Sequence, residues 1–430
     1  MNNLNFPYSA LATVLKEVTK SSKSNFYREK YFGETSVQSF LEGDETAWED
    51  IPFLSRGEIQ KFPMHERLYV DEKDVEIIRP TSGTSGAGIL PVPRTMSHEG
   101  NKLPLNYRLF VSLNVHRLAT FSGAQFYYSP SFRRLAGIDS INVDPGDIPL
   151  AAHLITLYMP DMLAGPVYAL GALSENLPTN VRKKVKAIQV FGEWCSQFQW
   201  NEFQRLFPNA KIVSEYASIE SQTSVAVPCS IAINEHKQYV HPVPEYVYTE
   251  IINPISEEII KENGVGGELV ITTIRPVAFP LIRYRTGDLA QIIRHECECG
   301  ITTPVLSIDG RLDIDRLRFR KGELNLSEVD RVISLHSDYL NSGDFEVHYK
   351  EIVDEDGVFK PQISIHLSLI SPDKSTSTLK EALSKSLRIA PDRVYADGVE
   401  ENIYMSLEIV PLVHTKASTG KKKKIFRDDK

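Results

Sequence analysis

Residues 186–216 read Lys186-Ala-Ile-Gln-Val-Phe-Gly-Glu-Trp-Cys-Ser-Gln-Phe-Gln-Trp-Asn-Glu-Phe-Gln-Arg-Leu-Phe-Pro-Asn-Ala-Lys-Ile-Val-Ser-Glu-Tyr216. The run from Lys186 to Phe191 is apolar enough for a buried strand and closes at Gly192. Ser196 can cap a helix whose apolar positions are Phe198, Phe203 and Leu206, and Phe207-Pro208 stops it. Lys211 to Tyr216 is the next strand. Strand, helix and strand at this spacing predict a parallel crossover. The same alternation from Val75 to about Thr286 predicts an α/β domain with much parallel sheet.

On either side the pattern changes. The first seventy residues mix polar and aromatic positions and read as helical. Beyond about 340, Phe345, Val347 and Tyr349 alternate with polar residues, Asp354-Glu-Asp-Gly357 supplies a turn, and Ile363, Ile365, Leu367 and Leu369 alternate with Ser364, His366 and Ser368. This predicts a half-buried strand pair. Thr378-Leu-Lys-Glu381 has the form of a capping box opening a helix with Leu379, Leu383 and Leu387 on one face, and Ile403 to Val410 reads as a closing strand. A small, separate α/β domain is expected, with its boundary near Gly310 to Asp315, where Asp309-Gly310 interrupts an apolar run.

Composition narrows the function classes. The 430 residues carry 48 Lys and Arg against 56 Asp and Glu, a formal charge of −8, which argues against a dedicated nucleic-acid binder. With 42% apolar and 24% charged residues the chain reads as an ordinary soluble protein. No run reaches the ~20 uninterrupted apolar residues of a membrane helix. The start, Met1-Asn-Asn-Leu-Asn-Phe6, lacks a signal peptide's basic and apolar regions. Four cysteines in such a length do not make a disulfide framework, so a reducing cytoplasm is expected.

Thr81-Ser-Gly-Thr-Ser-Gly-Ala-Gly88 packs three glycines and four hydroxyl residues into eight positions. Its amides and hydroxyls can wrap an anion, although it lacks the Gly-Lys-Ser/Thr ending of the P-loop, and a plain flexible turn is the rival reading. Downstream come Leu281-Ile-Arg-Tyr-Arg-Thr-Gly-Asp-Leu289, then Ile308-Asp-Gly-Arg311, then Gly420-Lys421. In this order the motifs resemble those of the adenylate-forming superfamily of acyl- and aryl-coenzyme A ligases, and among them phenylacetate–coenzyme A ligase and its relatives, from about Pro80 to Lys430.

The resemblance implies an α/β fold with a large N-terminal domain of mixed sheets, residues 1–312, and a small mobile C-terminal α/β domain, residues 313–430. By the same resemblance, Ser82, Gly83, Thr84, Ser85 and Gly86 hold the ATP phosphates, and Gly192-Glu193 line the adenine. Tyr216-Ala-Ser-Ile-Glu220 corresponds to a motif whose aromatic ring lies against adenine and whose glutamate binds magnesium, with Ala217 replacing the usual glycine. Asp288 is implied to accept from the ribose hydroxyls and Arg311 to reach the ribose and phosphates. Lys421 is implied to act in adenylation, with Asp313 as the hinge, although Asp315 is a second candidate. A solvated basic tail, Lys421 to Lys424 with Arg427 and Lys430, is the competing reading of that lysine.

The implied reaction joins a carboxylic acid, aromatic or acyl, to ATP with Mg2+ and then transfers the acyl group to coenzyme A. An amine, nitrite or another small nucleophile is the alternative acceptor, and a non-catalytic nucleotide-binding homologue the alternative class. The intact Glu220, Asp288, Arg311 and Lys421 count against the last. Phe121, Phe126, Tyr127, Tyr128 and Phe132 can line an acid pocket or simply form core. No membrane or nucleic-acid partner is expected, and homodimerisation is left open.

Cys297-Glu-Cys299, followed by Gly300, joins Cys229 and His241 in a second constellation. Three thiolates and one imidazole can fill a tetrahedral zinc site, which would be structural because protein occupies every position. His236 and His295 compete as the fourth ligand, and buried free thiols are the alternative.

Overall fold

The structure is a computed structural model that describes residues 6–20, 24–81, 89–95, 110–121, 137–144, 146–192, 195–222, 224–235, 237–275, 277–312, 315–319, 322–355, 358–370, 372–390, 393–412 and 425–427. The chain divides into two compact units, Met1–Trp194 with Leu206–Asp309 and Cys195–Arg205 with Gly310–Lys430.

The first unit begins with helices α1 (Tyr8–Lys20), α2 (Asn25–Tyr31), α3 (Thr35–Leu41) and α4 (Arg56–Gln60). Leu11, Val14, Leu15 and Val18 fall on one face of α1 and are buried. They join a core with Tyr27, Tyr31, Phe40, Trp48 and Phe279. The Tyr27 and Tyr31 hydroxyls donate to the carbonyls of Pro280 and Ile282 at 2.6 and 3.2 Å, fastening these helices to the segment that leads into the Arg-Tyr-Arg-Thr-Gly-Asp motif. α4 opens with a capping box. Ser55 Oγ accepts from the Glu58 N–H at 3.3 Å, and the Glu58 carboxylate accepts from the Ser55 N–H at 2.8 Å.

Strands β1 (Ile77–Pro80) and β2 (Pro91–Arg94) pair antiparallel around the Gly/Ser stretch, ending at Pro80 opposite Pro91. A five-stranded sheet follows, built from β3 (Arg117–Phe121), β4 (Asp139–Val143), β5 (Met162–Gly165), β6 (Ala187–Val190) and β7 (Lys211–Ser214) in the order β4-β3-β5-β6-β7. Every pairing is parallel. β5 and β6 are buried at every residue, so they read as near-continuous apolar runs without alternation, interrupted only by the buried Gln189. At Gly165 a Cβ would lie 2.5 Å from the Phe121 carbonyl oxygen, and only glycine fits that backbone approach.

The connections hold α5 (Ile148–Tyr158), α6 (Val167–Asn176), α7 (Thr179–Lys184) and α8 (Gln197–Leu206), of which α8 up to Arg205 counts with the second unit. The reading of residues 186–216 is borne out for the first strand, the helix and its cap, whereas the second strand ends at Ser214 and Tyr216 pairs in another sheet. Ser196 Oγ accepts from the Gln199 N–H at 3.1 Å, and Gln199 Oε1 accepts from the Ser196 N–H at 3.3 Å. Asp161 organises the sheet's lower edge. Its carboxylate accepts from the His116 and Arg117 N–H groups at 3.0 Å each, and Lys186 Nζ lies 3.4 Å away. Burial alone would raise this carboxyl's pKa, but the two amides and the lysine outweigh it and hold it below its ordinary value.

A seven-stranded sheet completes the first unit: β8 (Tyr216–Ala217), β9 (Ser224–Val227), β10 (Tyr239–Pro242), β11 (Val247–Ile252), β12 (Gly266–Thr273), β13 (Tyr284–Arg294) and β14 (Val305–Arg311), ordered β11-β12-β13-β14-β10-β9-β8. Between β9 and β10 lies α9 (Ser230–Asn234).

In the second unit, β15 (Arg316–Phe319) and β16 (Gly322–Asn325) form a hairpin that leads into α10 (Leu326–Ser334). β17 (Leu340–Val353) and β18 (Phe359–Leu369) pair antiparallel, followed by α11 (Pro372–Ser386), the short ladder of β19 (Arg388–Ala390) with β20 (Arg393–Val394), and α12 (Tyr395–Glu400). β21 (Glu408–Pro411) and β22 (Ile425–Arg427) flank the central pair in parallel, giving β21-β18-β17-β22.

Three readings need correction here. α11 starts at Pro372, so Thr378 lies inside the helix, although Leu379, Leu383 and Leu387 are buried as expected. Proline is well suited to a first helical position, where its missing N–H costs nothing. β18 is buried on both faces, because Lys360 pairs with Asp354 at 2.5 Å and Gln362 donates to Glu408 at 2.9 Å. The closing strand is β21 alone, since residues 401–407 form turns and irregular chain. No helix among the described residues is long and apolar enough to cross a membrane.

Candidate functional site

Three segments of the first unit meet at the end of β8. The Tyr216 hydroxyl donates to the Asp288 carboxylate, so the ring of one motif and the acid of another are adjacent. Asp288 is held by its own turn: its N–H donates to Thr286 Oγ1 at 3.0 Å, and that hydroxyl donates to the Leu269 carbonyl at 2.7 Å. Gly287 has φ +73° and donates its N–H to Glu268 at 3.1 Å, a conformation that favours glycine between Thr286 and Asp288. Ala217, where a glycine was expected, has no positive φ, so this position does not demand glycine.

The two arginines of the same motif are anchors for the backbone. Arg283, only 1% exposed, pairs with Glu250 at 3.1 Å, donates to the carbonyls of Glu49 and Ile51 at 2.6 and 2.7 Å, and lies 3.9 Å over the Phe53 ring. Arg285 pairs with Glu268 at 2.6 Å. These contacts fix the strand from which Asp288 projects.

Glu220 sits in the turn after β8 and pairs with Arg56 Nη1 at 2.7 Å. The other arm of Arg56 donates to Thr81 Oγ1 at 2.6 Å. Thr81 is also the neck of the Gly/Ser stretch: its N–H donates to the Leu90 carbonyl at 3.0 Å, and its hydroxyl accepts from the Leu90 N–H at 2.9 Å. One guanidinium therefore joins the expected magnesium ligand to the base of the expected phosphate loop. Sequence reading missed Arg56, and its only local signal is the Ser55-Arg-Gly-Glu58 capping box that sets it at the first turn of α4.

Gly192 follows β6 with φ +80°. Arg311 ends β14; its N–H donates to Asp315 Oδ2 at 2.7 Å, and its carbonyl accepts from the Asp315 N–H at 2.8 Å. Ser82, Gly83, Thr84, Ser85, Gly86, Glu193, Asp313 and Lys421 lie outside the described residues, as do His236, Phe126, Tyr127, Tyr128 and Phe132.

The cysteine constellation is brought together. The ligand atoms of Cys229, His241, Cys297 and Cys299 all lie within 4.8 Å of one another. Cys229 Sγ and Cys297 Sγ are 4.0 Å apart, and Cys299 Sγ is 3.5 Å from His241 Nε2. Tetrahedral zinc with bonds of about 2.0–2.3 Å spaces its ligands at much these distances. His241 Nδ1 faces the Thr303 carbonyl at 2.8 Å; because a carbonyl only accepts, the ring proton sits there and Nε2 offers its lone pair to the cluster. His295 instead bonds the Lys261 carbonyl through Nε2 at 2.8 Å.

For Cys297, burial opposes ionisation, but the Cys299 amide and the Arg294 guanidinium prevail and lower its pKa to about 6. Burial and the neighbouring sulfurs push Cys299 up to about 11. A cation bound among these sulfurs would draw the proton from Cys299 as well.

Comparison with protein-family profiles gives no match. A phenylacetate–coenzyme A ligase from Thermus thermophilus is 32% identical over 127 residues, 29% of this chain and 26% of that protein. One from Pseudomonas putida is 23% identical over 270 residues, 58% of this chain and 59% of that protein. The chain thus spans less than two thirds of the curated relatives it matches. Among solved structures, 2-hydroxyisobutyryl-coenzyme A ligase in complex with its acyl-AMP superposes with a TM-score of 0.75 at 16% identity, covering 98% of this chain and 88% of that one.

The fold is that of the adenylate-forming ligases. O-succinylbenzoate coenzyme A synthetase from Bacillus subtilis, in complex with ATP and magnesium ion, shares this adenylate-forming fold more distantly, with a TM-score of 0.50 at 14% identity over 77% of this chain and 66% of that one. The resemblance read from the motif order is borne out at the level of fold.

Proposed function

We propose that the chain activates a carboxylic acid with MgATP as a bound acyl adenylate and transfers the acyl group to coenzyme A. The observation that carries this reading is the junction of Tyr216 with Asp288 and of Glu220 with Arg56 and Thr81 in one unit. Tyr216, Asp288 and Glu220, to which the resemblance gives adenine, ribose and metal, are thereby linked to Thr81 at the neck of the Gly/Ser stretch.

In the first half-reaction a carboxylate oxygen attacks the α-phosphorus and the bond to pyrophosphate breaks. Magnesium supplies charge neutralisation on the phosphate oxygens when bound. The chain supplies position. Tyr216 offers a ring to the base, Asp288 accepts from the ribose hydroxyls, and Glu220, oriented by Arg56, would hold the metal. Arg56 keeps a cation beside the loop neck through its bond to Thr81. Arg311 and Lys421 take the phosphate-facing roles that the resemblance implies, and Asp313 that of the joint. In the second half-reaction the coenzyme A thiolate attacks the acyl carbon, the bond to the AMP oxygen breaks, and AMP departs.

An aromatic acid is the first substrate to try, since the curated relatives are phenylacetate ligases. A structural zinc on Cys229, His241, Cys297 and Cys299 is the second element of the reading, supported by the ligand spacing and by the orientation of His241. Four cysteines, none of them in a disulfide, fit a cytoplasmic setting.

The test is product analysis with a panel of aromatic and fatty acids, with and without coenzyme A. Thioester and AMP are expected with coenzyme A present. Pyrophosphate together with an amide or a nitrogen–nitrogen product moves the acceptor, and no pyrophosphate with any acid removes the enzyme reading. A monomer in solution removes the homodimer option.

A further inference from the structure

We propose that Glu346, His348 and His366 form a second metal site, on the sheet of the second unit, for a borderline divalent ion of the Co2+, Ni2+ and Zn2+ class. Residues two apart on a strand share a face, so Glu346 and His348 rise together from β17. The antiparallel register sets His366 of β18 opposite Glu346, and Ser364 opposite His348. Two strands thus deliver one carboxylate and two imidazoles to one patch. Their ligand atoms lie within 4.8 Å of one another.

The local geometry suits an ion. Glu346 Oε2 and His348 Nε2 are 3.0 Å apart, the spacing of two donors each about 2.1 Å from one ion at roughly a right angle. The ion takes the place of the proton those atoms share. His366 Nε2 lies 3.5 Å from the Ser364 hydroxyl, which belongs to the residue opposite His348. Both rings therefore turn Nε2 toward the same region.

His348 is fixed in plane by a sandwich. The His366 ring stacks on it with centroids 3.8 Å apart at 18°, and Phe426 of β22 stacks with centroids 4.6 Å apart at 15°. Phe426 is also the register partner of His348. Lone pairs of parallel rings do not converge, so His366 must tilt out of the stack to coordinate. Losing one ring contact is small beside gaining a metal–imidazole bond. The patch is accessible: the side chains of His348 and Glu346 are 22% and 31% exposed. Three protein ligands leave coordination positions for water, unlike the cysteine cluster.

Cobalt separates the two clusters, because thiolate ligands add an intense near-ultraviolet charge-transfer band that nitrogen and oxygen ligands lack. Co2+ is titrated into the purified 430-residue protein and into His348→Gln, His366→Gln, Glu346→Gln and Cys297→Ser. The expected result is a cobalt with d–d absorption and no thiolate band, weakened at least about ten-fold in each histidine variant and unchanged in Cys297→Ser. No such cobalt in the wild type, or one indifferent to both histidine substitutions, overturns the proposal. If a histidine variant melts early, Glu346→Gln decides in its place: weakened binding upholds the site and unaltered binding overturns it.

Discussion

Arg56 Nη1 lies 2.7 Å from Glu220 Oε1 while Arg56 Nη2 lies 2.6 Å from Thr81 Oγ1, so one guanidinium spans two motifs that are far apart in sequence. Both side chains of the ion pair are largely buried, 16% and 13% exposed. A charge pair in that setting holds its geometry better than one on open surface. It keeps Glu220 beside the neck of residues 82–88.

Arg56→Lys keeps a cation but cannot span two acceptors. Pyrophosphate release should fall about ten- to hundred-fold, the range for groups that orient a metal ligand, with a higher magnesium requirement and an unchanged melting temperature. Full activity at ordinary magnesium would show that the bridge does not position Glu220.

The cysteine cluster predicts about one zinc per chain in purified protein. Cys297→Ser should release it and lower the melting temperature, because binding free energy at such a site is folding free energy. Metal analysis and thermal unfolding check both. A zinc-free wild type that melts at the same temperature with and without chelator would end this reading.

Arg283→Ala strands the buried Glu250 carboxylate and two backbone carbonyls. Removing one partner of a buried pair costs about 3–5 kcal/mol, so chemical denaturation should read a loss of that size. A loss under about 1 kcal/mol, the range of exposed pairs, would mean that the anchor contributes little.

Asp161 gives a pH prediction. Its folded pKa lies below its ordinary value of 3.8, so its contribution is complete at neutral pH and is lost as pH falls through the folded pKa. Melting temperature should therefore drop on acidification from about pH 5 downward, and Asp161→Asn should be less stable at pH 7 with a shallower acid limb. Parallel acid limbs in the two proteins would remove Asp161 as a contributor.

What the sequence revealed follows from the range of the forces involved. Residues 186–216 were readable because strand, cap and stop are each set within a few neighbours. Thr378 misled because its local pattern fits a cap, whereas Pro372 starts the helix earlier. Arg56 was invisible because its partner Glu220 is 164 residues away. The cysteines were legible as a set, but the choice of histidine depends on pairing between β10 and β14, Tyr239 opposite Ser307, near the Thr303 carbonyl that orients His241. His366 read as one polar step in an alternation until the register of β17 and β18 set it beside Glu346 and His348.

The acyl adenylate itself is tested most directly by isotope exchange between pyrophosphate and ATP. With Mg2+ and the correct acid, the account predicts exchange that depends on the acid, needs no coenzyme A and disappears in Lys421→Ala. Absence of acid-dependent exchange across aromatic and aliphatic acids, in protein shown to be folded, would contradict it.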